Sequence, residues 1–120
     1  MVRLVAFLAL LTLPAAASAA EYQIVIGGTP AVSFSGRCVI VDGERERRTR
    51  QLGGRIPSSG SLNAEAVDCR IQKGDQMGRL TVRLLQDGAL IARASTRAAY
   101  GRVRVRSAGP WGAARGWVMY

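Results

Sequence analysis

Arginines at alternate positions near the end of the chain are the residues best suited to bind a ligand. Arg102, Arg104 and Arg106 are separated by single valines. In an extended strand this spacing puts the three guanidinium groups on one face, over about 13 Å. Guanidinium forks make paired hydrogen bonds with phosphate, sulfate and carboxylate groups. This stripe is therefore the first candidate for a site that binds anions.

A second pair of arginines could form a similar stripe. Arg79 and Arg83 fall on the outer face of a predicted strand, so the two stripes would form one basic surface if their strands are neighbours. The chain has 17 basic and 8 acidic residues and a formal net charge of +9. Lys73 is its only lysine. Because a GC-rich genome would impose such an arginine bias, an ordinary solvated sheet face is the competing interpretation.

The two cysteines, Cys38 and Cys69, are expected to form a disulfide. Each lies on the apolar face of a predicted strand, two residues before an isoleucine and five before a glycine. Strands that face each other across the core could be linked at these positions, and the link would contribute on the order of 3–4 kcal/mol to stability. A metal pair or a reactive thiol is the alternative, but the chain has no histidine and no third cysteine.

Aromatic residues are concentrated in a glycine-containing C-terminal segment, 107–120. Trp111, Trp117 and Tyr120 are candidates for contact with a partner. The alternative is a terminal strand that packs back on the domain, since aromatic side chains have large apolar areas to bury. No aromatic residue is interleaved with the arginines of the two stripes, which argues against nucleic acid as a partner.

Most catalytic chemistry lacks its residues in this sequence. Without histidine there is no Ser–His or Cys–His nucleophile pair. No phosphate-binding glycine loop and no dinucleotide fingerprint is present. We therefore predict a protein without catalytic residues, metal or cofactor. An enzyme that uses carboxylates alone is the remaining alternative.

The first 20 residues have the order of a secretion signal. Arg3 supplies the positive charge, Leu4 to Leu13 is almost wholly apolar, and small residues lead to a predicted cleavage after Ala19 or Ala20. An uncleaved anchor is the alternative, but the apolar run is far shorter than the about 20 residues that span a bilayer. The sequence thus predicts a secreted or periplasmic protein, in a compartment where disulfides form.

The elements that must position these residues read as short strands. Alternating apolar residues predict strands over 21–26, 31–41, 62–72, 78–86, 89–96 and 100–106, with a weaker one over 51–56. Asp87-Gly88 is the strongest hairpin signal, because a type I′ turn needs positive φ at both central positions. The charged run 44–50 is expected to be a hairpin tip or a protected edge strand.

These elements predict an all-β fold without a helix. About seven short strands over residues 21–106 indicate a small antiparallel β-sandwich of immunoglobulin-like architecture, followed by the tail 107–120. The tryptophan between the cysteines and the tyrosine corner of true immunoglobulin domains are missing.

The functional expectation is a small basic exported protein that binds or supports other molecules without catalysis. Its expected partner is an anionic envelope component or an acidic protein, bound by the arginine-rich face. The alternative is an accessory or inhibitor-like protein that docks a protein partner through an edge strand or the aromatic tail. The sequence does not define an oligomeric state.

Overall fold

The fold consists of β-strands in the part of the chain that the computed structural model describes, residues 19–43 and 46–120. Most of the predicted secretion leader lies outside these residues, as do residues 44 and 45. Nine strands are present there: β1 (Ala20–Gly28), β2 (Ser33–Val41), β3 (Arg47–Arg55), β4 (Ser58–Ala64), β5 (Ala66–Lys73), β6 (Leu80–Gln86), β7 (Ala89–Thr96), β8 (Arg102–Arg106) and β9 (Arg115–Met119). No helix in these ranges is long and apolar enough to cross a membrane.

The strands form two antiparallel sheets. The four-stranded sheet has the order β4-β1-β6-β7, and the five-stranded sheet has the order β3-β2-β5-β8-β9. The all-β sandwich predicted from the sequence is confirmed, with nine strands in place of about seven. One source of the higher count is β9, which forms within the predicted tail and pairs with β8.

The core lies between the two sheets and is built by alternation along the strands. Leu80, Val82 and Leu84 of β6 are fully buried, and Val103 and Val105 of β8 face them from the other sheet. Successive side chains of a strand point to opposite faces, so the residues between them point away from the core. The sequence pattern therefore predicted the inward faces of these two strands correctly.

The disulfide joins Cys38 and Cys69 within the five-stranded sheet, not across the core. The two residues lie opposite each other on neighbouring strands β2 and β5, with a Cα–Cα distance of 4.0 Å. Packed sheets are about 10 Å apart, whereas opposed Cβ atoms in one sheet are about 5 Å apart. The expected bond is present, but the expected link between facing strands is wrong.

The hairpin of β6 and β7 is the turn that the sequence predicted. Asp87 and Gly88 have φ values of 49° and 87°, the left-handed backbone of a type I′ turn. Ala92 and Ala94 point inward as expected. Leu90 does not, because the register shifts between Leu84 and Leu85, and Leu90 remains 55% exposed.

The segment 62–72 forms parts of two strands, although its alternation suggested one. Glu65 separates β4 from β5, and the two strands belong to different sheets. The stretch 57–61 is rich in Pro, Ser and Gly, a composition typical of a loop, yet it is mostly strand, because β4 begins at Ser58. Both departures arise where the chain passes from one sheet to the other without a long loop.

The single lysine lies in the interior. Lys73 is fully buried, and its Nζ donates hydrogen bonds to the carbonyl oxygens of Gly78 at 2.7 Å and Arg97 at 3.2 Å. A third carbonyl, of Gln76, lies at 3.5 Å. The Lys73 side chain therefore holds together the loops at one end of the sandwich.

Strand β9 is held closely against the other sheet. A side chain at Gly116 would place its Cβ 2.3 Å from the carbonyl oxygen of Arg93 in β7. Only glycine permits this approach of two backbones. The contact brings the edge strands β9 and β7 together and fixes β9 in place beside β8.

Candidate functional site

The outward side of the five-stranded sheet carries a group of arginines on four adjacent strands. Directly opposed residues on neighbouring strands share a face. Arg37 lies opposite Arg70, Arg70 opposite Arg104, and Arg104 opposite Trp117. We call this surface the arginine face, and its cationic residues are Arg37, Arg70, Arg102, Arg104, Arg106 and Arg115.

Three pairs of like charges occur on the arginine face. Arg37 with Arg70 and Arg70 with Arg104 lie directly opposite each other across β2, β5 and β8. Arg106 and Arg115 form the third pair, between β8 and β9. Like charges in directly opposed positions destabilise a sheet. This arrangement costs free energy in the unliganded protein, and an anion bound between the guanidinium groups would relieve that cost.

One carboxylate partly neutralises the face. Asp68 accepts two hydrogen bonds from Arg104, one of them from Nε at 2.8 Å and the other from Nη2. The hydrogen bonds to Asp68 raise the pKa of Arg104 above its ordinary value. Because this pKa is raised in the folded protein, the Arg104 cation contributes fully to stability at neutral pH. That contribution is lost only as the pH rises through the raised pKa of Arg104. Asp68 is 6% exposed, so the pair is well shielded from water.

Trp117 holds three of the arginines at one side of the face. The guanidinium carbons of Arg104, Arg106 and Arg115 lie 5.2, 5.1 and 4.6 Å from the centre of its ring. These are cation–π distances. The Nε of Arg106 is buried without a hydrogen-bond partner among the described residues. Three cations thus share one aromatic ring and only one of them, Arg104, has a carboxylate partner in this part of the chain.

A shallow depression lies at the centre of the face. Its volume is about 330 Å³, and its charged or amide-bearing lining comes from Arg37, Arg70, Arg102, Gln51 and Gln72. No carboxylate lines it. Arg104, whose guanidinium binds Asp68, is not among the residues that line it.

The two arginine stripes predicted from the sequence do not join. Arg102, Arg104 and Arg106 lie on the outward side of β8 as expected. Arg83 lies in β6, and Arg79 is the residue directly before that strand, so both belong to the four-stranded sheet. The outward sides of two packed sheets face opposite directions. The conditional prediction of one surface made by both stripes therefore fails.

The aromatic residues of the C-terminal segment occupy three different environments. Trp117 is part of the arginine face. The Trp111 Nε1 donates a hydrogen bond to the Ser107 carbonyl at 2.7 Å, which ties its turn to the end of β8. Tyr120 follows β9 and is fully exposed. Both tryptophans are thus partly buried, and only Tyr120 of these three aromatic residues is exposed.

Sequence reasoning missed Arg37, Arg70 and Arg115. A usable signal was present, because Arg37 directly precedes one cysteine and Arg70 directly follows the other. If the disulfide joins opposed residues of neighbouring antiparallel strands, the flanking positions must also oppose each other. Arg115 gave no comparable signal, since its placement depends on β9 pairing with β8.

Neither a metal cluster nor a known relative points to a function. Within residues 19–43 and 46–120 no three His, Cys, Asp or Glu side chains are grouped so that they could hold a metal ion. The sequence matches no protein-family model, and no curated protein is significantly similar to it. The functional argument therefore depends on the geometry of the arginine face.

Proposed function

We propose that this protein is a non-catalytic binding module of the periplasm or cell envelope that holds an anionic envelope component on its arginine face. The single observation that carries the proposal is the set of opposed arginines on four adjacent strands. Evenly solvated charge would not require arginines to face one another at strand spacing, about 4.8 Å.

The position of the disulfide supports the same proposal. Cys38 and Cys69 are opposed on the core side of β2 and β5, and Arg37 and Arg70 are opposed one residue away on the outward side. The covalent link holds together the two strands that the arginines push apart. The protein therefore keeps a charged surface in register without a bound ligand, which favours rapid capture of an anion.

Export is proposed from the leader together with this bond. The leader pattern of residues 1–20 directs a chain across a membrane, and disulfides persist in the oxidising compartments outside the cytosol. An anionic ligand in such a compartment belongs to the envelope or its surroundings.

Docking of a protein through an edge strand or the tail receives less support. Four arginines lie along the exposed edge strand β3, namely Arg47, Arg48, Arg50 and Arg55, and charge on an edge opposes the addition of another strand. At the other end of this sheet, β9 lies against β7 at Gly116. The described edges thus favour the face over the rims as the binding surface.

The test compares two opposed arginine pairs of equal charge on opposite sides of the protein. The variant R106Q/R115Q removes one pair from the arginine face, and R83Q/R93Q removes the opposed pair of the four-stranded sheet. Binding to heparin, a sulfated polysaccharide, is measured over a range of salt concentrations. We expect R106Q/R115Q to lower the slope of log K against log salt by about 2, whereas R83Q/R93Q leaves it nearly unchanged.

Equal effects of the two double variants would contradict the proposal. That result would mean that net charge alone determines binding, as in a protein with dispersed arginines. Circular dichroism of both variants shows whether each retains the sandwich, so that a folding defect is not mistaken for a loss of binding.

A further inference from the structure

The geometry points to a phosphate or sulfate monoester of a monosaccharide as the ligand of the central depression, an inference that rests on the anion-binding function proposed above. The depression has a volume of about 330 Å³. Small-molecule sites start at about 300 Å³. A ligand the size of one sugar ring with its ester group therefore matches the space, and a longer chain would have to leave it along the face.

The cationic part of the depression suits an ester of this kind. Arg37, Arg70 and Arg102 line it from the three adjacent strands β2, β5 and β8. No carboxylate of the described residues lies within salt-bridge distance of these three guanidinium groups. Their donors are thus uncommitted, and a tetrahedral oxyanion with three terminal oxygens can accept from more than one fork.

The remaining lining suits a polyhydroxylated body. Gln51, Gln72 and Ser35 offer amide and hydroxyl groups around the arginines. The Nε2 of Gln72 donates to the carbonyl oxygen of Tyr100 at 3.4 Å, which fixes the orientation of its amide. Amide and hydroxyl side chains pair with sugar hydroxyls because each offers both donors and acceptors.

An apolar rim closes one side of the depression. Met119 of β9 lines it and lies opposite Arg102. The Met119 side chain can cover one face of a sugar ring while the arginines hold the ester. An isolated phosphate ion would make no use of Met119 or of the glutamines.

The test titrates the purified protein with glucose 6-phosphate and glucose 6-sulfate. NMR follows the backbone amide shifts, and isothermal titration calorimetry measures the affinity. Glucose and inorganic phosphate are the matched probes that lack one half of the ligand. We expect shifts at residues around the depression with either ester, no binding of glucose, and clearly weaker binding of inorganic phosphate. Arg70→Gln should weaken ester binding by about tenfold, the loss of one charge-assisted hydrogen bond.

Two controls separate the depression from the rest of the molecule. Arg83→Gln and Arg93→Gln each remove the same charge from the opposite sheet. Each should leave ester affinity within about twofold, as expected for a screened distant charge. If Arg70→Gln disturbs the fold, Arg102→Gln at the edge of the depression takes its place.

The outcomes distinguish this inference from the proposed function. If heparin binding depends on Arg106 and Arg115 but neither ester binds, the inferred ester site is wrong and the proposed function stands. Ester binding lost in Arg70→Gln without any heparin retention supports the depression and overturns the wider proposal. Inorganic phosphate binding as tightly as the esters overturns the sugar. Binding only to vesicles that contain phosphatidic acid, with no affinity for the free esters, shows a lipid headgroup as the source and overturns the monosaccharide.

Discussion

The two outer faces of the sandwich have the same kind of scaffold and very different surfaces. The four-stranded sheet presents neutral polar groups such as Gln23, Ser59 and Ser61, with one opposed arginine pair, Arg83 and Arg93. The five-stranded sheet presents six arginines on β2, β5, β8 and β9, four more on its edge strand β3, and one buried carboxylate, Asp68. A compositional bias toward arginine would act on both faces alike. The arginines are therefore distributed unevenly between the two faces, which supports the proposal that the arginine face is the binding surface.

Only the five-stranded sheet combines this charge with a covalent bond. Its neighbouring strands β2 and β5 carry the disulfide on one side and the opposed pair Arg37 and Arg70 on the other. No disulfide links strands of the four-stranded sheet, since both cysteines are used here. The sheet with the greater internal repulsion is thus also the one that a disulfide restrains.

Removing the disulfide is expected to lower stability more than replacing Asp68, Arg70 or Arg83. The variant C38A/C69A should lower the free energy of unfolding by about 3–4 kcal/mol, because the unfolded chain gains the freedom of a 31-residue loop. Without the bond the repulsion between Arg37 and Arg70 is less restrained, so the loss should be greater at low salt than at high salt. Urea unfolding at two salt concentrations measures both effects. A loss that does not change with salt would separate the bond from the arginine pair.

Removing Asp68, the one carboxylate of the arginine face among the described residues, is expected to have an intermediate effect on stability. Asp68→Asn leaves Arg104 without its ionic partner in a shielded position and should cost about 1–3 kcal/mol. It should also strengthen heparin binding, since Arg104 becomes available to ligands. Asp87→Asn, in an exposed turn of the other sheet where asparagine tolerates the positive φ, is the control and should change neither quantity by much. Weaker heparin binding of Asp68→Asn would show that Asp68 organises the face for its ligand.

Replacing one arginine on either face is expected to have the smallest effect on stability. Arg70 faces two arginines, whereas Arg83 faces only Arg93. Arg70→Gln should therefore stabilise the unliganded protein by about 0.5–1 kcal/mol at low salt, and Arg83→Gln by about half as much. Thermal unfolding in low and high salt measures these shifts. Both gains should disappear in high salt, because exposed charges are screened there, and a destabilised Arg70→Gln would show that the opposed arginines are not in conflict.

Local patterns predicted the faces of single strands well. The alternation of valine and arginine in β8 placed Val103 and Val105 in the core and the arginines outside. Asp87-Gly88 fixed the hairpin, because few other dipeptides adopt positive φ at both positions at low cost. These features depend on a residue and its near neighbours in the chain, and a sequence carries that information directly.

Relations between strands were the part that local patterns could not supply. Nothing in the segment 62–72 shows that the chain changes sheet at Glu65, and nothing near Arg79 or Arg83 shows which sheet they join. The burial of Lys73 depends on three carbonyl groups that come together only in the folded protein. The candidate site was predicted in its central stripe on β8 and missed on the strands beside it, because strand order is a long-range property.

The position of β1 has a consequence for how this chain can fold. Its two neighbours, β4 and β6, both come later in the sequence, and its Glu21 pairs with Asp87 across 66 residues. Strand β1 therefore cannot pair with both neighbours until residue 86 is available, and the sheet is complete only when β7 ends at residue 96. Closing so long a loop costs entropy before the distant strands make contact. We expect folding in milliseconds to seconds, as for other sandwiches with distant partners. A chain that stays open until most of its length is present suits the passage through a membrane that the proposed export requires.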